Sequence, residues 1–271
     1  MTSIAVAVPS FTRGFAQFTG TPSATAAGDL DGDGADDVVV VTSDQLGTGG
    51  GSEQLYVFYR RPDGPLVKFA SSASSSALDK GVSTAVCDVD GDGRREILVG
   101  YTLGDLRIYK TGADGVPVLW RTLAGIGSST LLCADVDGDG LSDVVTTGKP
   151  GLAMQVLLQR AGNLVETGSY AANALAVGRA TLGDFDGDGK TDVVFVGGAY
   201  LQAGAGQFGA PVALRVPLDE FNDPTANRLA VAALAPGQRN LIASIAPTKI
   251  VVAGLGASRK SLRRCSFQRQ T

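Results

Sequence analysis

One arrangement of polarity recurs along the chain. A short small-and-apolar run leads into an acidic, glycine-bearing loop, and a β-branched run follows it. The runs before the loops are Ala24–Gly28, Val82–Cys87, Ser129–Ala134 and Leu175–Gly183; those after are Val38–Val41, Ile97–Val99, Val144–Thr147 and Val193–Val196. Their length and β-branched content predict strands on both sides of each loop. Between loops, further alternating segments are separated by turn signals. The pairs are Gln54–Tyr59 with Leu66–Ala70, Asp105–Tyr109 with Val116–Arg121, Ala153–Leu158 with Leu164–Tyr170, and Tyr200–Ala203 with Phe208–Val216. Each period therefore holds four short strands, the content of a β-propeller blade.

A fifth unit is expected where the period places it. Leu229–Leu234, Leu241–Ile245 and Lys249–Ala253 read as strands, and Pro236–Asn240 keeps a turn but no carboxylate. Before the first loop, Ile4–Val8 and Phe15–Phe18 read as outer strands with no inner partner. They are expected to complete the last blade. The reading is thus an all-β propeller of four-stranded antiparallel blades over residues 1–257, either a ring of about five blades or part of a larger propeller. Residues 258–271, crowded with Arg259, Lys260, Arg263, Arg264 and Arg269, are expected to be an unstructured basic tail.

The loops carry the chemistry. Carboxylates stand at loop positions 1, 3, 5 and 9: Asp29, Asp31, Asp33 and Asp37; Asp88, Asp90, Asp92 and Glu96; Asp135, Asp137, Asp139 and Asp143; Asp184, Asp186, Asp188 and Asp192. So many like charges in so short a segment repel unless a cation sits among them. Carboxylate oxygens suit Ca²⁺, and the backbone carbonyl at position 7 (Ala35, Arg94, Leu141 or Lys190) would add a ligand whatever its side chain. Up to four Ca²⁺ are expected. The glycines at positions 4 and 6 supply the positive φ that a tight wrap needs, as at Gly187 and Gly189. Position 2 is always apolar (Leu30, Val89, Val136, Phe185) and is expected to plug the core beneath. The Asp88–Glu96 loop is expected to bind most weakly, because Glu96 is longer and Arg94 and Arg95 bring positive charge. A plain polar turn is the competing reading, but turns require one or two such residues rather than four in register.

Composition narrows the function classes. At 271 residues and 44% apolar content the chain can bury a substantial core. The net charge of −4 comes from empty loops: four bound dications would make it +4, so the acidic balance says little about partners. Histidine is absent, which removes the commonest general base and any His-ligated zinc or haem. Cys87 lies one residue before its loop and Cys133 two before, so strand alternation puts them on opposite faces, and buried thiols are expected. No run is long enough for a membrane span. The N-terminus lacks the basic flank and apolar length of a secretory signal, as expected of a mature or fragmentary secreted chain or of a cytoplasmic one.

The segments Gly28–Val38 and Gly183–Val193, with Gly206-Gln-Phe-Gly-Ala-Pro211 in an outer part of a repeat, resemble FG-GAP/VCBS repeats over about residues 15–253. The resemblance implies a β-propeller with Ca²⁺ between the first two strands of a blade, as in integrin α-subunit heads and many bacterial surface and secreted proteins, usually with seven blades. An EF-hand does not fit: position 12 is Val40, Val99, Thr146 or Phe195 rather than a bidentate Glu, and strands rather than helices follow.

The function expected is a calcium-binding scaffold for adhesion or binding, extracellular or at the cell surface and not an enzyme. Its ligand would be a protein or a glycan, with no nucleic acid. The alternative is a carbohydrate-active propeller. That could be a lectin using aromatics such as Trp120 or Tyr200, or an enzyme needing paired carboxylates, for which Asp219, Glu220 and Asp223 are the best-placed group outside the loops.

Overall fold

The computed structural model describes residues 21–43, 53–61, 66–72, 79–127, 129–171, 180–195, 198–213, 228–232, 241–245, 249–255 and 262–268. Five four-stranded antiparallel sheets form the blades of a β-propeller. The first is β1 (Thr21–Gly28), β2 (Asp37–Ser43), β3 (Glu53–Tyr59) and β4 (Leu66–Ser72). The second is β5 (Gly81–Cys87), β6 (Glu96–Tyr101), β7 (Asp105–Thr111) and β8 (Pro117–Ala124). The third is β9 (Thr130–Ala134), β10 (Asp143–Thr147), β11 (Leu152–Arg160) and β12 (Asn163–Ala171).

The fourth blade departs from the simple meander. After β13 (Ala180–Gly183), β14 (Asp192–Phe195) and β15 (Gly198–Tyr200), the chain makes a small hairpin of β16 (Gln202–Gly204) and β17 (Gln207–Phe208). It then returns as β18 (Val212–Ala213) to pair with β15. The fifth blade is β19 (Arg228–Ala232), β20 (Leu241–Ile245), β21 (Lys249–Leu255) and β22 (Leu262–Gln268). Neighbouring blades meet through their first strands in the order β1, β5, β9, β13, β19.

Why the strands carry continuous apolar runs follows from this packing. Successive side chains of a strand point to opposite faces, and in an inner blade both faces are covered by neighbours. Val39, Val41, Leu55 and Val57 of the first blade pack with Ile97, Val99 and Tyr101 of the second. The interleaved Leu98, Leu106 and Ile108 face the third blade, meeting Leu131, Val144 and Leu157. The next residue, Val145, turns the other way and joins Val156, Val193, Phe195 and Tyr200 between the third and fourth blades. Alternation along β6 and β10 thus assigns residues to one interface or the next.

Two sequence expectations are corrected here. Residues 262–268 are no tail: β22 pairs with β21 from Lys249↔Gln268 to Leu255↔Leu262 and is the fifth blade's outer strand. Its arginines obscured the pattern, yet charge is what an outermost strand carries to discourage pairing with other chains. Cys87 and Cys133 are joined in a disulfide, with Cα atoms 6.3 Å apart. They do lie on opposite faces of their own sheets, but opposite faces of adjacent blades confront one another across the interface. The N-terminal strands Ile4–Val8 and Phe15–Phe18, and the turn Pro236–Asn240, lie outside the described residues.

Candidate metal centre

Each acidic loop links the first and second strands of a blade, so all four open on the same rim of the propeller. Their internal frame is repeated almost bond for bond. In the first, the Asp29 carboxylate accepts backbone N–H groups from Gly32 at 2.7 Å and Gly34 at 2.9 Å. The same pair of bonds recurs at Asp88, Asp135 and Asp184. Both glycines have φ near 80° in every loop, for instance 81° and 84° at Gly187 and Gly189, a conformation a side chain would strain. Position 3 accepts from the N–H of position 5, and position 5 from that of position 7, so Ala35, Arg94, Leu141 and Lys190 are held in the wrap by their own N–H groups.

The position 9 carboxylate sits deepest. Asp37, Glu96, Asp143 and Asp192 are all buried, and each accepts the N–H of the apolar position 2 residue: Leu30, Val89, Val136 or Phe185. Three of them also accept an N–H from a residue at or just beyond the end of the blade's third strand, namely Arg60, Gln159 and Gln202. The position 2 side chains are at most 2% exposed, the plug the sequence implies. The small residue before position 1 has its reason as well: a Cβ on Gly28 would stand 2.6 Å from Val86 Cγ1 of the next blade.

Ligand atoms converge in all four loops. Oxygens of Asp29, Asp31 and Asp33 lie within 4.8 Å of one another, as do those of Asp88, Asp90 and Glu96, of Asp135, Asp137 and Asp143, and of Asp184, Asp186 and Asp192. The close sets therefore leave out Asp37 in the first loop and Asp92, Asp139 and Asp188 in the others. Burial raises the pKa of Glu96 to about 7 and of Asp192 to about 6, with neighbouring loop carboxylates adding to the shift and backbone hydrogen bonds opposing it. Asp37 and Asp143 are raised by the same causes. Hard oxygen donors around buried, mutually repelling acids fit a divalent cation of the calcium type.

Three basic residues missing from the sequence reading also touch these carboxylates. Arg61 pairs with Asp31 and Asp33, Lys110 with Asp90, Asp92 and Glu96, and Arg160 with Asp137 and Asp139. A basic residue at the end of a predicted third strand was the available signal. In the fourth loop, Lys190 reaches Asp188 from within the loop. The other candidates resolve differently. Tyr200 is buried, edge-on to Phe195 and Tyr170, with its hydroxyl donating to the Ala171 carbonyl, so it is core rather than a sugar platform. Trp120 is half-buried between Lys110 and Arg121. Asp219, Glu220 and Asp223 lie outside the described residues.

Among solved structures, the chain resembles a protein from Lactobacillus plantarum, with TM-score 0.57 and 15% identity over 91% of this chain and 70% of that one. It also resembles an Agrocybe aegerita lectin that recognises non-reducing terminal N-acetylglucosamine, with TM-score 0.55 and 18% identity over 84% of this chain and 65% of that one. A chain of an active polycomb repressive complex 2 matches at TM-score 0.51 and 11% identity, over 88% of this chain and 50% of that one. At such identities the likeness is one of fold. No curated protein sequence matches the chain. The model of the FG-GAP-like repeat matches residues 29–99 and 104–195, and that of the FG-GAP repeat residues 81–119. With acidic loops, blades and more than half its length matched, the chain belongs to the FG-GAP repeat family.

Proposed function

We propose that this propeller is a calcium-stabilised binding or adhesion module working outside the cell, with Ca²⁺ holding the four loops rather than taking part in chemistry. The observation that carries this reading is the fourfold recurrence of one hydrogen-bonded frame, with three carboxylates converging within 4.8 Å in each copy. When bound, the ion neutralises the buried position 9 acid and its neighbours. The chain's own residues do the rest: the position 1 aspartate shapes the loop, the glycines permit its curvature, and the position 2 side chain anchors it to the inter-blade core. With so many ligands drawn from one loop, little of the ion is left to polarise a substrate. The Cys87–Cys133 disulfide supports an oxidising compartment.

A glycan is the second candidate for the ligand, favoured by the structural likeness to a lectin. Catalysis is not part of this reading. Of the acids outside the loops, Asp79 is buried against Arg107 at 2.7 Å and Glu166 bonds Ser169, both structural arrangements. Equilibrium dialysis with calcium should count up to four ions per chain, and a glycan array run beside a turnover assay on the same polysaccharides separates the classes. Binding without turnover supports the module; turnover overturns it.

A further inference from the structure

We propose that Gln159 and Gln202 are positioning residues that couple successive loops, so that calcium in one loop raises the affinity of its neighbour. This rests on the calcium reading above and concerns how filled loops act on one another.

Both glutamines stand at or just beyond the end of a third strand, and each reaches two loops with different atoms. The backbone N–H of Gln202 donates at 2.8 Å to Asp192, the deep carboxylate of its own blade's loop, while its side-chain amide donates to the Val136 carbonyl in the third blade's loop. Gln159 repeats the arrangement one blade earlier. Its N–H donates at 2.8 Å to Asp143 of its own loop, and its Nε2 lies 2.9 Å from where a Cβ on Gly91 of the second blade's loop would stand. Three residues on, Gly162 turns at φ 75°, and a Cβ there would meet the Asp90 carbonyl at 3.4 Å, so the third blade backs the second loop at two points. The path runs from the Asp184–Asp192 loop through Gln202 to the Asp135–Asp143 loop, and through Gln159 to the Asp88–Glu96 loop.

These links are buried, Gln202 being 7% exposed and Gln159 1%. Away from water, such contacts are electrostatically strong and costly to leave unmade. An ion that fixes the Asp135–Asp143 loop fixes the Val136 carbonyl, which holds the Gln202 side chain, and the N–H of the same residue then holds Asp192. The second ion enters a loop already partly ordered, so less ordering opposes it. Coupling of this kind is reciprocal: each ion helps the other by the same factor.

The test is calcium titration of the full chain by calorimetry. Asp184→Asn identifies the step that belongs to the fourth loop, and Asp135→Asn that of the third. In the wild-type background each substitution should also weaken the other loop's step by about fivefold or more, equally in both directions. Gln202→Met keeps the side-chain volume and the backbone N–H but removes the amide donor. In that background four ions should still bind, and the two steps should no longer respond to one another. Asp29→Asn should leave the fourth loop's step in place, because the fourth blade adjoins the third and the fifth. Asp88→Asn and Asp135→Asn, with and without Gln159→Met, repeat the cycle for the second and third loops and serve if Gln202→Met does not fold. Neighbouring steps that ignore one another in the wild type, or a coupling that survives the methionine variants, would overturn the proposal while the calcium reading stands. If wild type binds no calcium, both fall together.

Discussion

The side-chain amide of Gln202, the first residue of the fourth blade's β16–β17 hairpin, donates to the main-chain carbonyl of Val136, the apolar plug of the third blade's loop. Thr111 makes the corresponding bond to Leu30 at 3.4 Å, from the second blade to the first. Loop and neighbouring blade are therefore clasped through the one loop residue that faces the core. Gln202 is 7% exposed, so Gln202→Ala leaves a buried carbonyl without this partner. The expected cost is about 1–3 kcal/mol, measured by denaturant unfolding. A variant as stable as wild type would show that the clasp contributes nothing.

The disulfide closes a sequence separation of 46 residues between two inner strands. Chain entropy for a loop of this length puts its contribution at roughly 2–4 kcal/mol. Replacing both Cys87 and Cys133 by Ser should lower the unfolding midpoint accordingly, and non-reducing peptide mapping should recover a Cys87–Cys133 cross-link. Free thiols at both positions in protein purified without reductant would contradict the bridge.

The strand at residues 262–268 reverses the consequence of trimming the C-terminus. Removing residues 258–271 strips β22 from β21 and leaves a seven-residue strand edge open. Open edges recruit other chains. The truncated protein should aggregate, checked by light scattering at matched concentration. A monodisperse product of unchanged stability would mean that β22 adds nothing to the fifth blade.

Acid should stabilise the calcium-free protein. The Glu96 pKa is raised from 4.5 to about 7 and that of Asp192 from 3.8 to about 6, chiefly by burial. The folded chain holds these protons more tightly than the unfolded one. Their contribution is fully present below pH 4 and is lost as pH rises through about 6 and 7. In chelator the melting temperature should fall across pH 4–7. Calcium binding requires the ionised acids, so excess calcium should flatten or reverse that slope. Equal slopes with and without calcium would dissociate these acids from the metal.

Much of this molecule is legible from polarity alone, and what is hidden has physical reasons. The valine run at Val39–Val41 marks a strand buried on both faces, and four carboxylates in one register mark a cation site, because neither pattern has a cheaper explanation. The Cys87–Cys133 contact is invisible to alternation, which assigns faces within one sheet but does not say that opposite faces of adjacent blades meet. Arg61 and Arg160 become neighbours of the loops only when the pairing of Phe58 with Val38 and of Leu157 with Val144 is known. The β16–β17 hairpin interrupts the fourth blade because its third strand stops at Tyr200 and the chain turns back at Gly206, where φ is 68°.

The central claim is that calcium holds the propeller together through its four loops. Thermal unfolding of one preparation in excess calcium and in excess chelator at neutral pH tests it most directly. Counted as independent, four sites at ten times their dissociation constants add roughly 5–6 kcal/mol, so the melting temperature should rise by many degrees with calcium. Superimposable melting curves in calcium and chelator would contradict the claim.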